Sequence, residues 1–108
     1  MSHPLPAVVQ ILSALASVTR CRIVASLRDT ERSVSSLVKI LQLRPSDISN
    51  HLAVLRAAGI VSTTRHGRCV LYRLTDRCAP LFQTMWDRLE LGSDTTLAAD
   101  AWRAAGGS

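Results

Sequence analysis

Three cysteines and three histidines hold most of the latent reactivity in this chain, and their positions limit what it could be. Cys21, Cys69 and Cys78 follow no disulfide-framework spacing. An odd count suits a reducing compartment, where thiols serve as core filler, soft ligands or redox sensors. Cys78 stands beside Arg77 in the first turn of an expected helix, where the dipole and a cation both favour thiolate, so it leads the sensor candidates. Cys21, between Arg20 and Arg22, could be activated similarly, and Cys69 is the third. The competing reading of each is a small buried hydrophobe. His51 suits packing or a backbone bond better than a metal, His66 a solvent or phosphate contact, and His3 a frayed end. There is no Cys-His-Asn order, Gly-rich phosphate loop, paired acid or metal motif, so enzyme is the weakest class and no catalytic residue is expected.

A second set of residues offers a different chemistry. The 108 residues carry 13 Lys+Arg against 8 Asp+Glu, a formal charge of +5 that favours an anionic partner such as nucleic acid or acidic lipid. The excess is concentrated: residues 44–77 hold six basic and two acidic groups, whereas 78–108 hold two and four. All the basic residues except Lys39 are arginine, whose planar fork fits phosphate oxygens and base edges. A nucleic-acid surface is the first hypothesis. The length allows one domain, which excludes a multidomain enzyme, and 47% hydrophobic with 19% charged residues is a globular composition. Aromatics are limited to Tyr72, Phe82, Trp86 and Trp102, so the core must be aliphatic and a partner subunit would help it. No apolar run is long enough to span a bilayer and Met1-Ser2-His3-Pro4 lacks a basic signal start, so a cytoplasmic protein without a membrane partner is expected.

The elements that would position these groups follow from periodicity. Val8, Ile11, Leu12 and Leu15 predict a first helix over 6–16. Ser17 can cap a second, carrying Ile23, Val24 and Leu27, and Ser33 a third, with Val34, Leu37, Val38 and Leu41 on one face. Pro45 suits the first position of a fourth helix, 45–58, stopped by Gly59. Ile48, Leu52 and Leu55 must face the core there, leaving Ser46, Ser49, Asn50 and Ala53 on an exposed face that is short and almost uncharged. Such a face can approach another surface closely. From Gly59 the period becomes two, and Ile60–Arg65 and Cys69–Leu74 flank His66-Gly67-Arg68 as a hairpin. A fifth helix with Leu81, Phe82, Met85, Trp86 and Leu89 runs to Gly92, and 93–108 reads as a partly ordered tail after a 1–92 domain. The expected fold is mainly α with a small β-hairpin wing: a five-helix winged helix-turn-helix.

Leu12-Ser13-Ala14-Leu15-Ala16, Thr19-Arg20, Ile23, Ser49-Asn50-His51-Leu52, Leu55 through Val61, Arg65 through Arg68 and Tyr72-Arg73-Leu74 resemble the ArsR/SmtB family of bacterial repressors. The likeness covers residues 8 to about 90 and is densest over 46–74. It implies a homodimeric transcriptional repressor that binds double-stranded DNA at an inverted repeat, its first and last helices pairing across the dimer axis. Leu12, Leu15, Phe82, Met85, Trp86 and Leu89 are the candidate interface residues. In the DNA-bound state Ser46, Ser49 and Asn50 would reach base edges, Asn50 being suited to an adenine edge, with Arg44 and Arg56 on phosphates. Arg65, His66 and Arg68 would meet the backbone or the minor groove. Asp47 fits a carboxylate stabilised by the helix dipole better than a base contact.

The family commonly releases DNA when a metal, metalloid or oxidant binds cysteine or histidine. Its third-helix Cys-Val-Cys motif reads Ser33-Val34-Ser35 here, and hydroxyls are poor ligands for soft ions. Its last-helix motif maps to Asp76, Cys78, Leu89 and Gly92, which leaves half a zinc site. No cofactor is therefore certain; a soft ion such as As(III), Cd(II) or Zn(II) acting on a thiol is the candidate inducer. The alternatives are a repressor without a ligand of its own and a winged-helix module that binds protein.

Overall fold

The structure, a computed structural model, describes residues 4–107; His3 and Ser108 lie outside them. Pro4 and Pro6 flank the start of α1 (Leu5–Leu15), where a missing N–H costs nothing. The backbone at Ser17 is extended and its Oγ accepts the Arg20 N–H at 3.2 Å, which opens α2 (Val18–Ser26) at 93° to α1. Ser33 caps α3 (Val34–Leu41) through the Ser36 N–H at 3.1 Å. Gln42 then adopts a left-handed φ of 57°, reversing the chain in a short turn, and Pro45 opens α4 (Pro45–Ala57). Both serine caps and the proline start were legible as sequence signals.

Ile48, Leu52 and Leu55 of α4 are at most 1% exposed and pack with Ile23, Val24 and Leu37 of the two preceding helices. Gly59, at φ +73°, turns the chain into β1 (Val61–His66), which pairs antiparallel with β2 (Cys69–Leu74). The register runs from Val61 opposite Leu74 to His66 opposite Cys69, so Gly67 and Arg68 alone form the loop. Gly67 sits at its first central position with φ +63°, the residue and conformation a two-residue II′ hairpin demands. The wing is anchored at its base. Arg32 and Tyr72 exchange backbone hydrogen bonds of 2.9 and 2.7 Å, tying the α2–α3 loop to β2.

The C-terminal third departs from the sequence expectation. Helix α5 (Ala79–Arg88) ends before Gly92, because Glu90 takes a left-handed φ of 54° and a single 3-10 turn follows over Leu91–Ser93. Residues 95–104, expected within a partly ordered tail, form a sixth helix, α6 (Thr95–Ala104), which packs on α2 and α3. Two causes are visible. Asp94 caps it through the Leu97 N–H at 2.9 Å, and Asp100, 3% exposed, receives two 2.9 Å hydrogen bonds from Arg22 and one of 2.8 Å from Arg103. The Asp100 carboxylate raises the Arg22 pKa further, so the guanidinium stays charged although partly buried. Arg22 and Arg103 also donate to the carbonyls of Leu41 and Ile40, so α6 holds the C-terminal end of α3. Among the described residues no single helix is long and apolar enough to cross a membrane.

Candidate nucleic-acid interface

The Gln42 turn and the outer face of α4 are exposed. Ser46, Ser49, Asn50 and Ala53 are all exposed on α4, with Arg44 at its N-terminal boundary and Arg56 in its last turn. None of the first three makes a side-chain hydrogen bond to another described residue, so their donors and acceptors are available to a partner. Arg44 is engaged: its Nε lies 3.1 Å from an Asp47 carboxylate oxygen. At this exposure the pair contributes little stability, but Asp47 neutralises one flank of the helix until something displaces it. Spacing alone could have suggested that partner, because residues three apart on a helix are neighbours.

The buried side of α4 is tied to the helices behind it. Arg20 donates from Nε to the Ala14 carbonyl at 2.6 Å and from Nη1 to His51 Nδ1 at 3.3 Å. A guanidinium has no acceptor, so Arg20 is the donor and His51 Nδ1 the acceptor of this contact. His51 thus joins α4 to the α1–α2 corner through a side chain rather than the backbone. Gln10 adds a 3.3 Å hydrogen bond from α1 to the Ala57 carbonyl at the far end of α4. Sequence reasoning missed Gln10 and Arg20 because no local pattern marks partners 47 and 31 residues apart.

At the wing, Arg65, His66 and Arg68 are exposed together at the hairpin tip. His66 Nε2 lies 3.8 Å from Glu31, an ion pair only when the imidazole is protonated. The wing keeps its angle to α4 through the turn at Gly59 and Ile60, where Thr75 Oγ1 donates to the Gly59 carbonyl at 2.8 Å. The polar face of α4, with an arginine at each end, and the basic hairpin tip thus belong to one packed unit.

The candidate sensor thiols differ in burial and partners. Cys78 immediately precedes α5 but is only 4% exposed, and its thiol points at the Gly59 carbonyl, 3.6 Å away. Cys21 is half-buried on α2 and donates to the Leu15 carbonyl at 3.1 Å. Burial pushes its pKa up, against the opposing pull of the Ser17 backbone and Arg20, so the activation expected from its flanking arginines is reversed. Cys69 is exposed at the first position of β2. All three are free, and among the described residues no group of three His, Cys, Asp or Glu side chains could hold a metal ion.

The candidate dimer residues separate into two groups. Leu12 and Leu89 are 59% and 64% exposed, and Leu15 and Met85 are half-buried. Phe82 instead lies in the core at 3% exposure. Trp86 is half-buried beneath Arg28, whose guanidinium carbon stands 3.7 Å from the ring centroid. One residue of phase, about 100° around the helix, separates the groups: Leu81, Met85 and Leu89 form an outer stripe along α5 while Phe82 and Trp86 turn toward the core. Leu5 and Val9, exposed beside Leu12 at i, i+4 and i+7, complete an apolar stripe on α1.

Comparison with known proteins gives this geometry its context. A family model described as bacterial regulatory protein, arsR family, matches residues 17–63, from the α2 cap into β1. The HTH-type transcriptional repressor SmtB of Mycobacterium tuberculosis is 46% identical over 67 residues, 62% of this chain and 50% of SmtB. The HTH-type transcriptional regulator CmtR of the same organism is 40% identical over 96 residues, 87% of this chain and 80% of CmtR. The chain belongs to the ArsR family. It spans half the length of SmtB and four-fifths that of CmtR. The family is one of bacterial regulatory proteins.

Solved structures agree on the fold. HlyU from Vibrio cholerae superposes with a TM-score of 0.73 at 32% identity, covering 81% of this chain and 96% of HlyU. The structure described as the homodimeric winged helix-turn-helix DNA-binding domain of Mb0332 from Mycobacterium bovis gives a TM-score of 0.76 at 26% identity, covering 80% and 81%. The winged helix-turn-helix expected from the sequence is therefore the fold of this ArsR-family chain, with one more helix than periodicity predicted.

Proposed function

We propose that this chain is a cytoplasmic transcriptional repressor that binds an inverted repeat in double-stranded DNA as a homodimer. Helix α4 enters the major groove with Ser46, Ser49 and Asn50 toward base edges. Arg44 and Arg56 take phosphates, and Arg65, His66 and Arg68 follow the adjacent backbone or minor groove. The observation that carries this reading is the bare polar face of α4, flanked by arginines and followed by a basic hairpin. The apolar stripes Leu5–Val9–Leu12 and Leu81–Met85–Leu89 pair the two subunits, and Leu15 lies at their edge. Phe82 and Trp86 act behind that interface by supporting α5. Fluorescence anisotropy on fragments of the chain's own promoter region tests the proposal. Affinity should fall steeply with salt as counterions are released. A protein that stays monomeric and ignores duplex DNA at low ionic strength would defeat it.

The proposal extends to release by a thiol-directed inducer, As(III), Cd(II) or Zn(II), with an exposed Cys69 as the accessible point of attack and Cys21 and Cys78 reached only after local opening. That no group of three His, Cys, Asp or Glu side chains among the described residues could hold a metal ion favours a second reading, a repressor without a thiol ligand. Titrating the reduced, DNA-bound protein with each ion separates the two. Release that is lost in Cys69→Ser supports the first; unchanged DNA affinity with all three ions supports the second.

A further inference from the structure

A cleft of about 400 Å³ opens between the C-terminal end of α2 and the loop after it, α5 and α6. Its size falls within the range of small-ligand sites. The walls combine two kinds of group. Ala25, Ala101 and Leu97 supply small apolar surface, Trp86 an indole, and Arg28 and Arg32 two guanidinium groups.

The arginines are held by only part of their donor sets. Arg28 stacks over Trp86 and donates from Nε to Gln83 at 3.2 Å; Arg32 donates from Nε to the Ser26 carbonyl at 2.6 Å. Neither is ion-paired with a described carboxylate, so both present free terminal N–H groups to the cleft. Asp100, also in the wall, is already neutralised by Arg22 and Arg103, and Asp29 is the single remaining acid. Two fixed cations against one carboxylate leave the cleft positive. A stacked guanidinium is preorganised, because its plane is set by the ring and its edge donors keep one direction.

We propose that this cleft binds a small carboxylate with a flat apolar body and is an effector site of the repressor. The carboxylate bridges Arg28 and Arg32, and the body lies against Trp86, Leu97 and the alanines. The effector role rests on the DNA-binding reading above. Its route is structural: the α6 wall is hydrogen-bonded through Arg103 to Ile40, and through Asp100 and Arg22 to Leu41, at the turn leading into α4.

Benzoate is the probe, titrated into DNA-free protein carrying Trp102→Phe, so that fluorescence reports Trp86 alone; Trp102 is 63% exposed and outside the cleft. A saturable change is expected. Arg28→Ala and Arg32→Met should each weaken it about tenfold or more, as loss of a charge-assisted hydrogen bond implies. Ala101→Leu, at an exposed α6 position, should block binding by filling the cleft while leaving every charge and the fold intact. No saturable change would overturn the site, as would equal binding of benzamide or equally tight binding of inorganic phosphate. An anisotropy titration of DNA with and without benzoate tests the effector role. Equal affinities in a protein that binds both would overturn that role, whereas a protein that binds benzoate but no duplex defeats the DNA reading instead.

Discussion

Asn50 stands exposed in mid-α4 with its amide free, and an amide can satisfy both the donor and the acceptor of one adenine edge. Asn50→Ala is therefore expected to cost about 1–3 kcal/mol of discrimination at one base pair. Arg68 at the wing tip has no such partner to choose, so Arg68→Ala should weaken all duplexes alike and lower the salt dependence by about one phosphate contact. Competition titrations on single-base operator variants check both, and a uniform loss for Asn50→Ala would remove it from base readout. The thiols make a second prediction at this scale. Under native conditions Cys69 should be alkylated first, Cys21 more slowly and Cys78 only on unfolding, as timed mass spectrometry would read. For Cys21 the folded protein favours the protonated thiol, so that stabilisation is complete below the ordinary thiol pKa and is lost as pH rises through the raised value. The alkaline decline of stability, starting at about pH 8.5, should accordingly be shallower in Cys21→Ala. Reading Cys21 as activated failed because sequence shows flanking charges but not burial, and burial is the larger cause here.

At the scale of elements, the α3–α4 turn and the hairpin were legible because local chemistry dictates them. Ser17, Ser33, Pro45 and Gly67 act on residues within one turn of themselves, and Ile48, Leu52 and Leu55 repeat at the helical period. Gly59 joins these elements. Its φ of +73° disfavours any side chain, and a Cβ there would lie 2.7 Å from Arg77 Nη2. Arg77 is exposed and its flexible end can move aside, so the backbone sets the penalty. Gly59→Ala should cost about 1–2 kcal/mol and loosen the angle between α4 and the wing. Chemical denaturation measures the first effect and DNA affinity the second; a variant as stable as the parent would show that the turn tolerates a side chain. The split of α5 was not legible, since Phe82, Met85 and Trp86 are all apolar at helical spacing. Only the positions of α2 and α6 determine which of them turn inward.

For the whole molecule, the decisive contact is one that links residues 78 apart in the chain, Arg22 and Asp100. Asp100→Ala would leave Arg22 and Arg103 partly buried without their carboxylate, with side-chain exposures of only 16% and 21%. Breaking such a cluster from one side should cost about 3 kcal/mol. It should also release α6 from α3, visible as faster amide exchange over 95–104 and around Ile40 and Leu41. Unchanged exchange there would mean that α6 is held by apolar packing and not by its ion pairs.

The sequence by itself determined the helix-turn-helix, the hairpin and the exposed polar face of α4, because each depends on caps, turns and periodicities within about a dozen residues. Tertiary structure decided the rest: that residues 95–104 fold back as a helix, that Cys78 and Phe82 are buried, and that Arg28 stacks on Trp86 in the wall of a cleft. Those outcomes depend on which surfaces remain uncovered once the helices pack, and an acidic residue such as Asp100 carries no local mark of the distant arginine that will neutralise it.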